Sequence, residues 1–482
     1  MPTIAWLEWG KPAFEKSRAE GKPILLDIHG VWCHWCHVME NATYANPAVA
    51  KKVNSAFVAV KVDTDRRPDI NERYNQGGWP TTAFLNHKGE LLTGFTYLPA
   101  GQMLQSLAEV ASMYHEFKDT ASGYGGQELK QTVLDRNAGE MILDRCIEAF
   151  DLEYGGFGFH QKFPMAEQLE LLLHFHRKRN SDELLRLAEK SGQGIMAGLY
   201  DKHAGGFFRY ATQRDWSAPH YEKMLETNAE LVRLFTELHK ITDKTEYFKV
   251  AEHAASFMST TLCGKAFYGS QDADGEEKYY GLNLENRDKL PIPFIDQTVY
   301  VDLNGKAIVA LLNLWSASHN PGLKEKLLSV LGFLAANCYD RNQGMAHCFS
   351  TKPATYGLLA DNLWMAKACL LAGRRFSLER YNTMAEQLLD FILKRFPGQD
   401  GGFIDRLAQP DDVGRLKVPL RKITENAELA MLLLDFAPER PELGKVAEQT
   451  LALFASSYEK YGLMAAGYSL AVEKLLAAKE TQ

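Results

Sequence analysis

The sequence has neither an excess of basic residues nor a long apolar run. Its 482 residues include 54 Lys and Arg against 61 Asp and Glu, a net charge of -7, so no basic stripe is available to neutralise nucleic-acid phosphates. No run approaches the roughly 18 apolar residues of a membrane-spanning helix. The first residues, MPTIAWLEWGKPAFEKSRAEGKP, lack the basic-then-apolar order of a signal peptide. We therefore expect a cytoplasmic protein with neither membranes nor nucleic acid as partners.

Cysteine is scarce as well, and its distribution excludes one class of small protein. Seven cysteines, an odd number, are spread over the whole chain, which is not the dense, even set of a disulfide framework. Two of them, Cys33 and Cys36, form a CxxC motif. The other five are predicted to be buried small apolar residues: Cys146, Cys263, Cys338, Cys348 and Cys369.

The CxxC motif lies in HGVWCHWCHVM, residues 29–39, among segments typical of buried strands. PILLDI (23–28) precedes it, and three more predicted strands follow: FVAVKVD (57–63), GGWPTTAFLN (77–86) and GELLTGFTY (89–97). A βαβ order followed by a strand pair is the context in which CxxC indicates redox chemistry. The motif also stands where a helix should begin, which favours the thiolate of Cys33. Cys33 is therefore predicted to be the more acidic and more exposed thiol.

Three interpretations of the motif remain open: thiol–disulfide exchange, a thioredoxin-like module without catalysis, and metal binding. Cys33, His34, Cys36 and His37 all carry zinc-ligating atoms, but structural zinc sites usually draw their second ligand pair from a distant segment. Four side chains on one helical turn cannot converge on a tetrahedron. Thiol–disulfide exchange is therefore favoured, and no metal or cofactor is expected. His34 and Trp35, between the cysteines, would then set the stability of the thiolate.

Two further residues give the motif its setting. Asp27 stands six positions before Cys33, and Pro80 follows GGW ahead of a strand. Both resemble the thioredoxin pattern of a buried Asp beneath the CxxC and a cis-proline facing it. More narrowly, CHWCHVM, KVD followed by RPDI, and GGWP resemble the thioredoxin-like domain of the YyaL-type, spermatogenesis-associated thioredoxin-domain family. If thiol chemistry is primary, Cys33 attacks a target disulfide, Cys36 resolves the mixed disulfide and Asp27 handles the proton of the buried thiol.

Beyond about residue 118, strand signals give way to helical periodicity. DTASGYGGQELKQT (119–132) is small and polar, a predicted linker between a domain at 1–118 and a second domain at 133–482. Twelve helices are predicted in the second domain, near 136–150, 165–179, 181–200, 222–239, 244–260, 302–317, 322–338, 357–374, 379–396, 424–436, 441–457 and 464–476.

The connections between these helices alternate in length, and several of the long ones begin alike. DLEYGGFGF, DKHAGGFF, DRNQGM and DGGFID open four of them, at Asp151, Asp201, Asp340 and Asp400. The Gly-Gly pairs in three of them are typical of helix C-caps. If the helices run antiparallel, all the long loops emerge on one face, and a recurring helix pair is the signature of a repeat architecture. We predict six helical hairpins closed into an (α/α)6 toroid, with the even-numbered helices inside and a loop-rich mouth where they begin.

The loops of the predicted mouth carry acids, bases and aromatic rings. The candidate substrate-binding residues are Lys162, Arg209, Trp216, His220, Glu222, Asp272 and Asp274. Aromatic rings beside paired carboxylates suit a small carbohydrate and its hydrolysis, and a His or Lys beside them suits epimerisation. The structural alternative is turn formation and capping by Asp272 and Asp274, with His220 hydrogen-bonded inside the toroid.

The family resemblance extends over this second domain. GGFG with KFP, GGFFRYAT, PHYEKML and FYGSQDAD resemble the matching blocks, and the family joins a thioredoxin-like domain to a toroid similar to N-acylglucosamine epimerases and six-hairpin glycosidases. The expected fold class is a thioredoxin-like α/β domain followed by an (α/α)6 toroid. Three functions are consistent with it. They are a thiol–disulfide oxidoreductase whose toroid binds a protein target or a carbohydrate, a carbohydrate-active isomerase or hydrolase with an accessory redox module, and a non-catalytic binding scaffold.

Overall fold

The computed structural model of the protein describes residues 3–117, 129–273 and 276–480. The chain forms two compact units: residues 1–127 with 406–420, and residues 128–405 with 421–482. The sequence analysis assigned residues 406–420 to the helical domain, whereas the structure places them in the first unit. Most of the predicted linker, residues 119–128, lies outside the described residues. Within the described ranges, no helix combines the length and the apolar character needed to span a bilayer.

The first unit is built on a four-stranded sheet with strand order β2-β1-β3-β4. Its elements are α1 (Lys11–Glu20), β1 (Ile24–His29), α2 (His34–Met39), α3 (Pro47–Ala56), β2 (Val58–Asp63), α4 (Pro68–Tyr74), β3 (Thr81–Leu85), β4 (Leu91–Phe95) and α5 (Ala100–Phe117). β1 pairs in parallel with β2 and antiparallel with β3, which pairs antiparallel with β4. The four predicted strands are therefore present, and β1 lies between two neighbours with nearly all its side chains buried.

The segment 406–420 completes the core of the first unit. Val413 and Leu416 are buried in the same apolar cluster as Tyr74 of α4. The Tyr74 hydroxyl accepts a hydrogen bond from the backbone N–H of Arg415 (2.8 Å). Burial of apolar surface and a satisfied buried hydroxyl both stabilise the folded state, so this segment is a structural part of the first unit.

The second unit contains the twelve predicted helices. Its helices are α6 (Ala138–Glu148), α7 (Ala166–Arg179), α8 (Asp182–Gly198), α9 (Leu225–Thr242), α10 (Thr245–Thr260), α11 (Glu276–Tyr280), α12 (Leu284–Arg287), α13 (Val301–Ser318), α14 (Pro321–Asn337), α15 (Leu359–Phe376), α16 (Glu379–Arg395), α17 (Ile423–Phe436), α18 (Glu442–Ala452) and α19 (Ala466–Glu480). Short strands lie in the connections: β5 (Tyr210–Ala211), β6 (Pro219–His220), β7 (Lys223–Met224), β8 (Ser270–Gln271), β9 (Ile295–Asp296), β10 (Val299–Tyr300), β11 (Tyr339–Asp340), β12 (Gly344–Phe349) and β13 (Pro353–Tyr356). Apart from the short α11 and α12, these helices correspond to the predicted set.

The twelve long helices form six hairpins closed in a ring. The inner helices α7, α9, α13, α15, α17 and α19 contact one another in that order, and α19 returns to α7. Each inner helix packs against one outer partner, which is α8, α10, α14, α16, α18 and α6 respectively. The inner helices are the even-numbered ones of the predicted set. The predicted (α/α)6 toroid is therefore confirmed.

The long connections of the toroid join an outer helix to the next inner helix. They include 149–165, 199–224 and 338–358, whereas a connection from an inner to an outer helix is as short as 243–244. Because the helices alternate in direction around the ring, the long loops lie on the face where the inner helices begin. We call this face the mouth.

A buried asparagine anchors the loop in front of four inner helices. It is the fourth residue of α9, α13, α15 and α17, namely Asn228, Asn304, Asn362 and Asn426. Each amide oxygen accepts a hydrogen bond of 2.7 to 2.9 Å from a backbone N–H of the preceding loop. Each amide nitrogen donates to the carbonyl four residues earlier. Since buried backbone groups require partners, these asparagines hold the mouth loops on the ring.

The repeated loop openings form turns rather than helix caps. The Oδ1 atoms of Asp151, Asp201 and Asp340 each accept hydrogen bonds from the backbone N–H groups two and three residues further on. The Gly-Gly pairs of the Asp151 and Asp201 turns lie beyond the helix ends, where Ala149 and Leu199 are the C-caps, so the predicted C-cap role of these pairs is wrong. At Gly206 (φ 76°) a Cβ would come within 2.5 Å of the Phe257 ring, and glycine alone fits there.

Candidate functional site

The CxxC motif stands where the central strand of the first unit leads into a helix. β1 ends at His29, and Cys33 is the N-cap of α2, with its sulfur accepting the Cys36 N–H (3.2 Å). The two cysteines form a disulfide pair with Cα atoms 5.2 Å apart. α2 continues into a π-helical turn, Glu40–Tyr44.

Both cysteines of the pair are buried. The exposed fraction is 3% for Cys33 and 7% for Cys36, so the expectation that Cys33 is the more exposed thiol is wrong. The helix N-terminal position of Cys33 is as predicted, and it favours the thiolate through the helix dipole and a donated N–H. Of the other five cysteines, four are buried as predicted and Cys263 is half-buried.

Aromatic rings flank the cysteine pair. Trp35 keeps 44% of its surface exposed, and its ring centroid lies 5.1 Å from that of Tyr97. Trp32 is buried and donates its indole N–H to Asp65 (2.7 Å). The tryptophan between the cysteines therefore presents an apolar surface to solvent, whereas Trp32 holds the loop in place.

Asp27 is the buried carboxyl group of β1. Its side chain is 2% exposed; Lys61 Nζ lies 4.0 Å from one carboxylate oxygen, and the Tyr44 hydroxyl donates to the other at 3.4 Å. Burial raises the pKa of Asp27 to about 7, because the charge of Lys61 offsets only part of the desolvation. A carboxyl group with this pKa takes up and releases a proton near neutral pH.

Two further charged groups and a histidine surround Asp27. Lys61 also binds the Glu40 carboxylate, which is half-exposed. His29 Nδ1 lies 3.8 Å from an Asp27 oxygen, and burial lowers the pKa of His29 to about 4, so this ring is neutral at physiological pH. The sequence analysis did not single out these three residues. The single basic residue inside the apolar run FVAVKVD is the signal that identifies Lys61.

Pro80 is placed at the same end of the sheet as the CxxC motif. The Trp79–Pro80 peptide bond is cis, as the family resemblance implies. Pro80 directly precedes β3, whose first residue, Thr81, pairs with Ile28 near the end of β1. Since β1 leads into the CxxC loop, the end of the sheet that carries the cysteines also carries the cis-proline.

In the toroid, two of the predicted site residues belong to the interior of a mouth loop. Lys162 is fully buried and donates to Asp151 (2.9 Å), which also accepts from Arg214 (2.8 Å). Although burial opposes it, these cations hold the pKa of Asp151 well below its usual range. Trp216 is 2% exposed and donates its indole N–H to the Tyr154 carbonyl (2.9 Å). The Trp216 ring is therefore packed inside the loop, and Lys162 neutralises a loop carboxylate; substrate binding by these two residues stays a prediction.

The next mouth loop repeats this arrangement around Asp201. Lys223 and Arg287 both lie 2.6 Å from its carboxylate. Burial alone would raise the pKa of Asp201, but the two cations lower it to about 2. Because Asp151 and Asp201 open two of the repeated loops, the group of one Asp, one Lys and one Arg is a recurring structural element of the toroid.

The structure does bring other predicted residues of the mouth together. His220 Nδ1 lies 3.5 Å from Glu222 Oε1, and the backbone N–H of Arg209 donates to the His220 carbonyl (3.2 Å). Burial acts to raise the pKa of Glu222, but His220 and Arg209 outweigh it and hold the pKa below its usual range. β7 pairs with β8 through Lys223 and Gln271, which are the chain neighbours of Glu222 and Asp272, and Asp272 is also buried. Asp274 lies outside the described residues.

A group of charged residues that the sequence analysis missed lines the axis of the toroid. A narrow cavity in the mouth-side half of the ring is lined by Glu167, Ala229, Glu230, Arg233, Lys306, Val309, Ala310, Trp364 and Glu428. Enclosure by the ring raises the pKa of Glu167 to about 7 and that of Glu230 to about 8. The Lys306 ammonium, bonded to Glu226, lowers the pKa of that carboxyl group below its usual range.

One helix thus presents two carboxyl groups whose pKa values are shifted in opposite directions. Lys306 lowers the pKa of Glu226, whereas burial raises that of Glu230, one turn further along α9, and such a separation is typical of acid–base pairs. The signal in the sequence is a charged stripe on α9, in which Glu226, Glu230, Arg233 and Glu237 recur every three or four residues. This spacing places them on one face of the helix, and closure of the ring encloses that face.

Two comparisons with known proteins concern the first unit. Residues 2–131 match the Thioredox_DsbH family, described as "Protein of unknown function, DUF255". Over 73 residues, the chain is 34% identical to thioredoxin-1 of Drosophila melanogaster, an alignment that covers 15% of this chain and 65% of that protein. The similarity to thioredoxin agrees with the observed βαβ order, the CxxC pair and the cis-proline.

A longer alignment reaches into the second unit. Over 341 residues, the chain is 29% identical to spermatogenesis-associated protein 20 of Homo sapiens, which covers 61% of this chain and 43% of the relative. The chain therefore spans less than half the length of this curated relative. The resemblance to the spermatogenesis-associated thioredoxin-domain family is confirmed.

The toroid resembles solved enzyme structures in fold. The structure of cellobiose 2-epimerase from Spirochaeta thermophila superimposes with a TM-score of 0.56 at 15% identity, and the match covers 72% of this chain and 96% of that one. A likeness at this identity establishes the fold alone. The predicted fold class, a thioredoxin-like domain followed by an (α/α)6 toroid, is confirmed.

Proposed function

We propose that this chain, a relative of spermatogenesis-associated protein 20 with a thioredoxin-like first unit, catalyses thiol–disulfide exchange through Cys33 and Cys36. The position of Cys33 carries the proposal. It caps α2, its sulfur accepts the Cys36 N–H, and cis-Pro80 lies at the same end of the sheet. Free N–H groups and the helix dipole stabilise a thiolate at such a position.

In the reduced protein, the reaction proceeds by two displacements. The Cys33 thiolate attacks one sulfur of a target disulfide, so that a Cys33–target bond forms, the target S–S bond breaks and the other target sulfur leaves as a thiolate. The Cys36 thiol then gives its proton to the Asp27 carboxylate, and its sulfur attacks the Cys33 sulfur. The Cys33–Cys36 disulfide forms and the second target thiolate leaves. Two electrons pass from the pair to the target, and an external dithiol reduces the pair again.

The surroundings of Asp27 support its part in the second displacement. Its pKa of about 7 leaves the carboxylate and the acid both populated near neutral pH. Lys61 lies between Asp27 and the half-exposed Glu40, which provides a path of polar groups by which the proton reaches solvent. Trp35, exposed beside the cysteines, offers an apolar contact surface for a protein target.

Alkylation rates measured against pH test the assignment of the nucleophile. In a Cys36→Ser variant, Cys33 should titrate at least roughly one unit below the unperturbed thiol pKa of about 8.5, whereas Cys36 in a Cys33→Ser variant should titrate near or above that value. Half-buried Cys263 is an internal control, because burial raises the pKa of its thiol. Peptide mass spectrometry separates the three thiols. Equal pKa values for Cys33 and Cys36 contradict the assignment.

The axial cavity supports a second candidate function, carbohydrate modification by the toroid. The supporting observation is that Glu230, whose pKa is raised to about 8, lines this cavity together with Trp364, and that Glu226, one turn earlier on α9, has its pKa lowered by Lys306. An acid, a base and an aromatic ring are the groups that sugar hydrolysis and epimerisation use. Cellobiose is a suitable first probe, because the structurally similar Spirochaeta thermophila enzyme is a cellobiose 2-epimerase.

Incubation with cellobiose and with simple aldoses tests this candidate. Chromatography of the products should show an isomer or a hydrolysis product with the native chain and none with Glu230→Gln, because the amide cannot donate an acidic proton. Glu386→Gln, on the exposed face of outer helix α16, is the matched control and should retain the activity. If no sugar in the panel reacts or raises the unfolding temperature, the toroid is a scaffold.

A further inference from the structure

Three side chains from separate segments meet beside the mouth of the toroid. Asp302 lies in the first turn of α13, Asp361 in the first turn of α15, and His347 on β12. One ligand atom from each of them lies within 4.8 Å of the other two. His347 Nδ1 is 3.1 Å from Asp361 Oδ1 and 4.0 Å from Asp302 Oδ1. All three belong to the second unit, so the group is independent of the CxxC chemistry.

Hydrogen bonds within the protein account for only part of this group. Asp361 Oδ1 interacts with His347 and accepts the backbone N–H of Asp302 (3.2 Å), which caps the start of α13. Asp361 Oδ2 and Asp302 Oδ1 are also buried, and among the described residues neither has a hydrogen-bond partner. The Asp361 side chain is fully buried. A buried carboxylate oxygen without a hydrogen-bond partner destabilises the folded state. We therefore expect a ligand from outside the chain to bind these two atoms.

The local charge indicates that this ligand is a cation. Two carboxylates face one imidazole ring. The cation on α13, Lys306, attracts Asp302 through its charge, but its ammonium group is bonded to Glu226. A divalent ion bound between the two carboxylates would satisfy both unpartnered oxygens and compensate both charges. A hydrogen-bonding neutral ligand would satisfy the oxygens but leave the negative charge in place.

We propose that Asp302, His347 and Asp361 bind a divalent transition-metal ion of the zinc–manganese type. Imidazole nitrogen with carboxylate oxygen is a ligand set that these ions accept, whereas Mg²⁺ and Ca²⁺ prefer oxygen alone. Atoms that each lie about 2.1 Å from one ion stand roughly 3 to 4 Å from one another, and His347 Nδ1 lies 3.1 Å from Asp361 Oδ1 and 4.0 Å from Asp302 Oδ1. Three protein ligands leave a coordination position for water or a substrate oxygen, as in catalytic sites. Asp302, with 18% of its side chain exposed, lies on the accessible side.

Metal titration of the full chain tests the site. The parent for the test is a Cys33→Ser/Cys36→Ser variant, because it removes the thiol pair as a competing ligand and leaves the toroid unchanged. Calorimetry should find one equivalent of Zn²⁺ bound with a micromolar or tighter Kd, and Co²⁺ should give a visible absorption band from the bound ion. Asp361→Asn and His347→Gln should each weaken Zn²⁺ binding at least roughly 100-fold and remove the Co²⁺ band.

A control on the same loop separates loss of a ligand from general damage. Asp340→Asn keeps the acceptor oxygen that closes its turn, and it should bind Zn²⁺ as the parent does. Circular dichroism establishes that each variant is folded, and Asp302→Asn replaces Asp361→Asn if the latter does not fold. No Zn²⁺ or Mn²⁺ binding by the parent at millimolar ion overturns the proposal, as does unchanged binding in the ligand variants. Neither result affects the thiol proposal, since the parent lacks the cysteine pair.

Discussion

Replacing Cys33 with serine should lower the rate of disulfide reduction at least roughly 1,000-fold, as expected when a covalent nucleophile is removed. A serine hydroxyl is not ionised at neutral pH and does not form a mixed disulfide. The measurement is turnover of a model protein disulfide, such as that of insulin, by the full chain with an external dithiol as reductant. Cys263→Ser, which removes a half-buried cysteine of the second unit, is the matched control and should keep the full rate.

The Cys36→Ser variant completes this test. It retains the attacking thiol but lacks the group that resolves the mixed disulfide, so it should accumulate as a covalent adduct with its targets. Non-reducing electrophoresis of the adducts from a cell extract, followed by mass spectrometry, identifies the proteins that are bound. A Cys33→Ser variant that reduces disulfides at the native rate, or an adduct that forms equally well without Cys33, contradicts the proposed order of attack.

Replacing Asp27 with asparagine should stabilise the first unit by about 4 kcal/mol at pH 8 and leave its stability unchanged near pH 4. Burial raises the pKa of Asp27 from near 3.8 to about 7, so folding favours the protonated form. The native carboxyl group therefore lowers the free energy of unfolding as pH rises from about 4 to 7, and the loss is complete above pH 7. An asparagine at this position carries no charge at any of these pH values.

Urea unfolding followed by tryptophan fluorescence at pH 4 and pH 8 measures this difference. Glu15→Gln, an exposed carboxyl group on α1 of the same unit, is the matched control and should change the stability little at either pH. Turnover of the Asp27→Asn variant should also fall, because the buried thiol loses its proton acceptor. Equal stability of the native and Asp27→Asn chains at pH 8 would mean that Asp27 is not desolvated in solution.

The architecture was predictable because local patterns and burial agree along most of the chain. The run ILLDI, bounded by Pro23 and Gly30, forms the central strand, whose side chains are almost all buried. Twelve amphipathic segments with alternately long and short connections leave few arrangements other than a ring of hairpins. The cis peptide bond at Pro80 followed from the family resemblance rather than from any local pattern.

The partners of individual side chains were not predictable in the same way. Lys162 and Trp216 have the composition of a binding site, yet Asp151 and the Tyr154 carbonyl occupy their polar atoms, and periodicity carries no information about such pairings. Glu230 lies on a charged stripe that is typical of a solvated helix face. Only closure of the ring encloses that stripe and raises the pKa of the carboxyl group.

The segment 406–420 has a consequence for how this architecture is inherited. A recombination break near residue 118 would transfer the cysteine pair but leave behind Val413, Leu416 and the N–H that binds the Tyr74 hydroxyl. The transferred piece would expose apolar surface and be prone to aggregation. Residues 1–118 therefore do not contain the complete core of the first unit. Residues 406–420 lie between α16 and α17 in the sequence, where a domain boundary near residue 118 would assign them to the toroid. Substitutions in this segment nevertheless change the unit that carries Cys33 and Cys36.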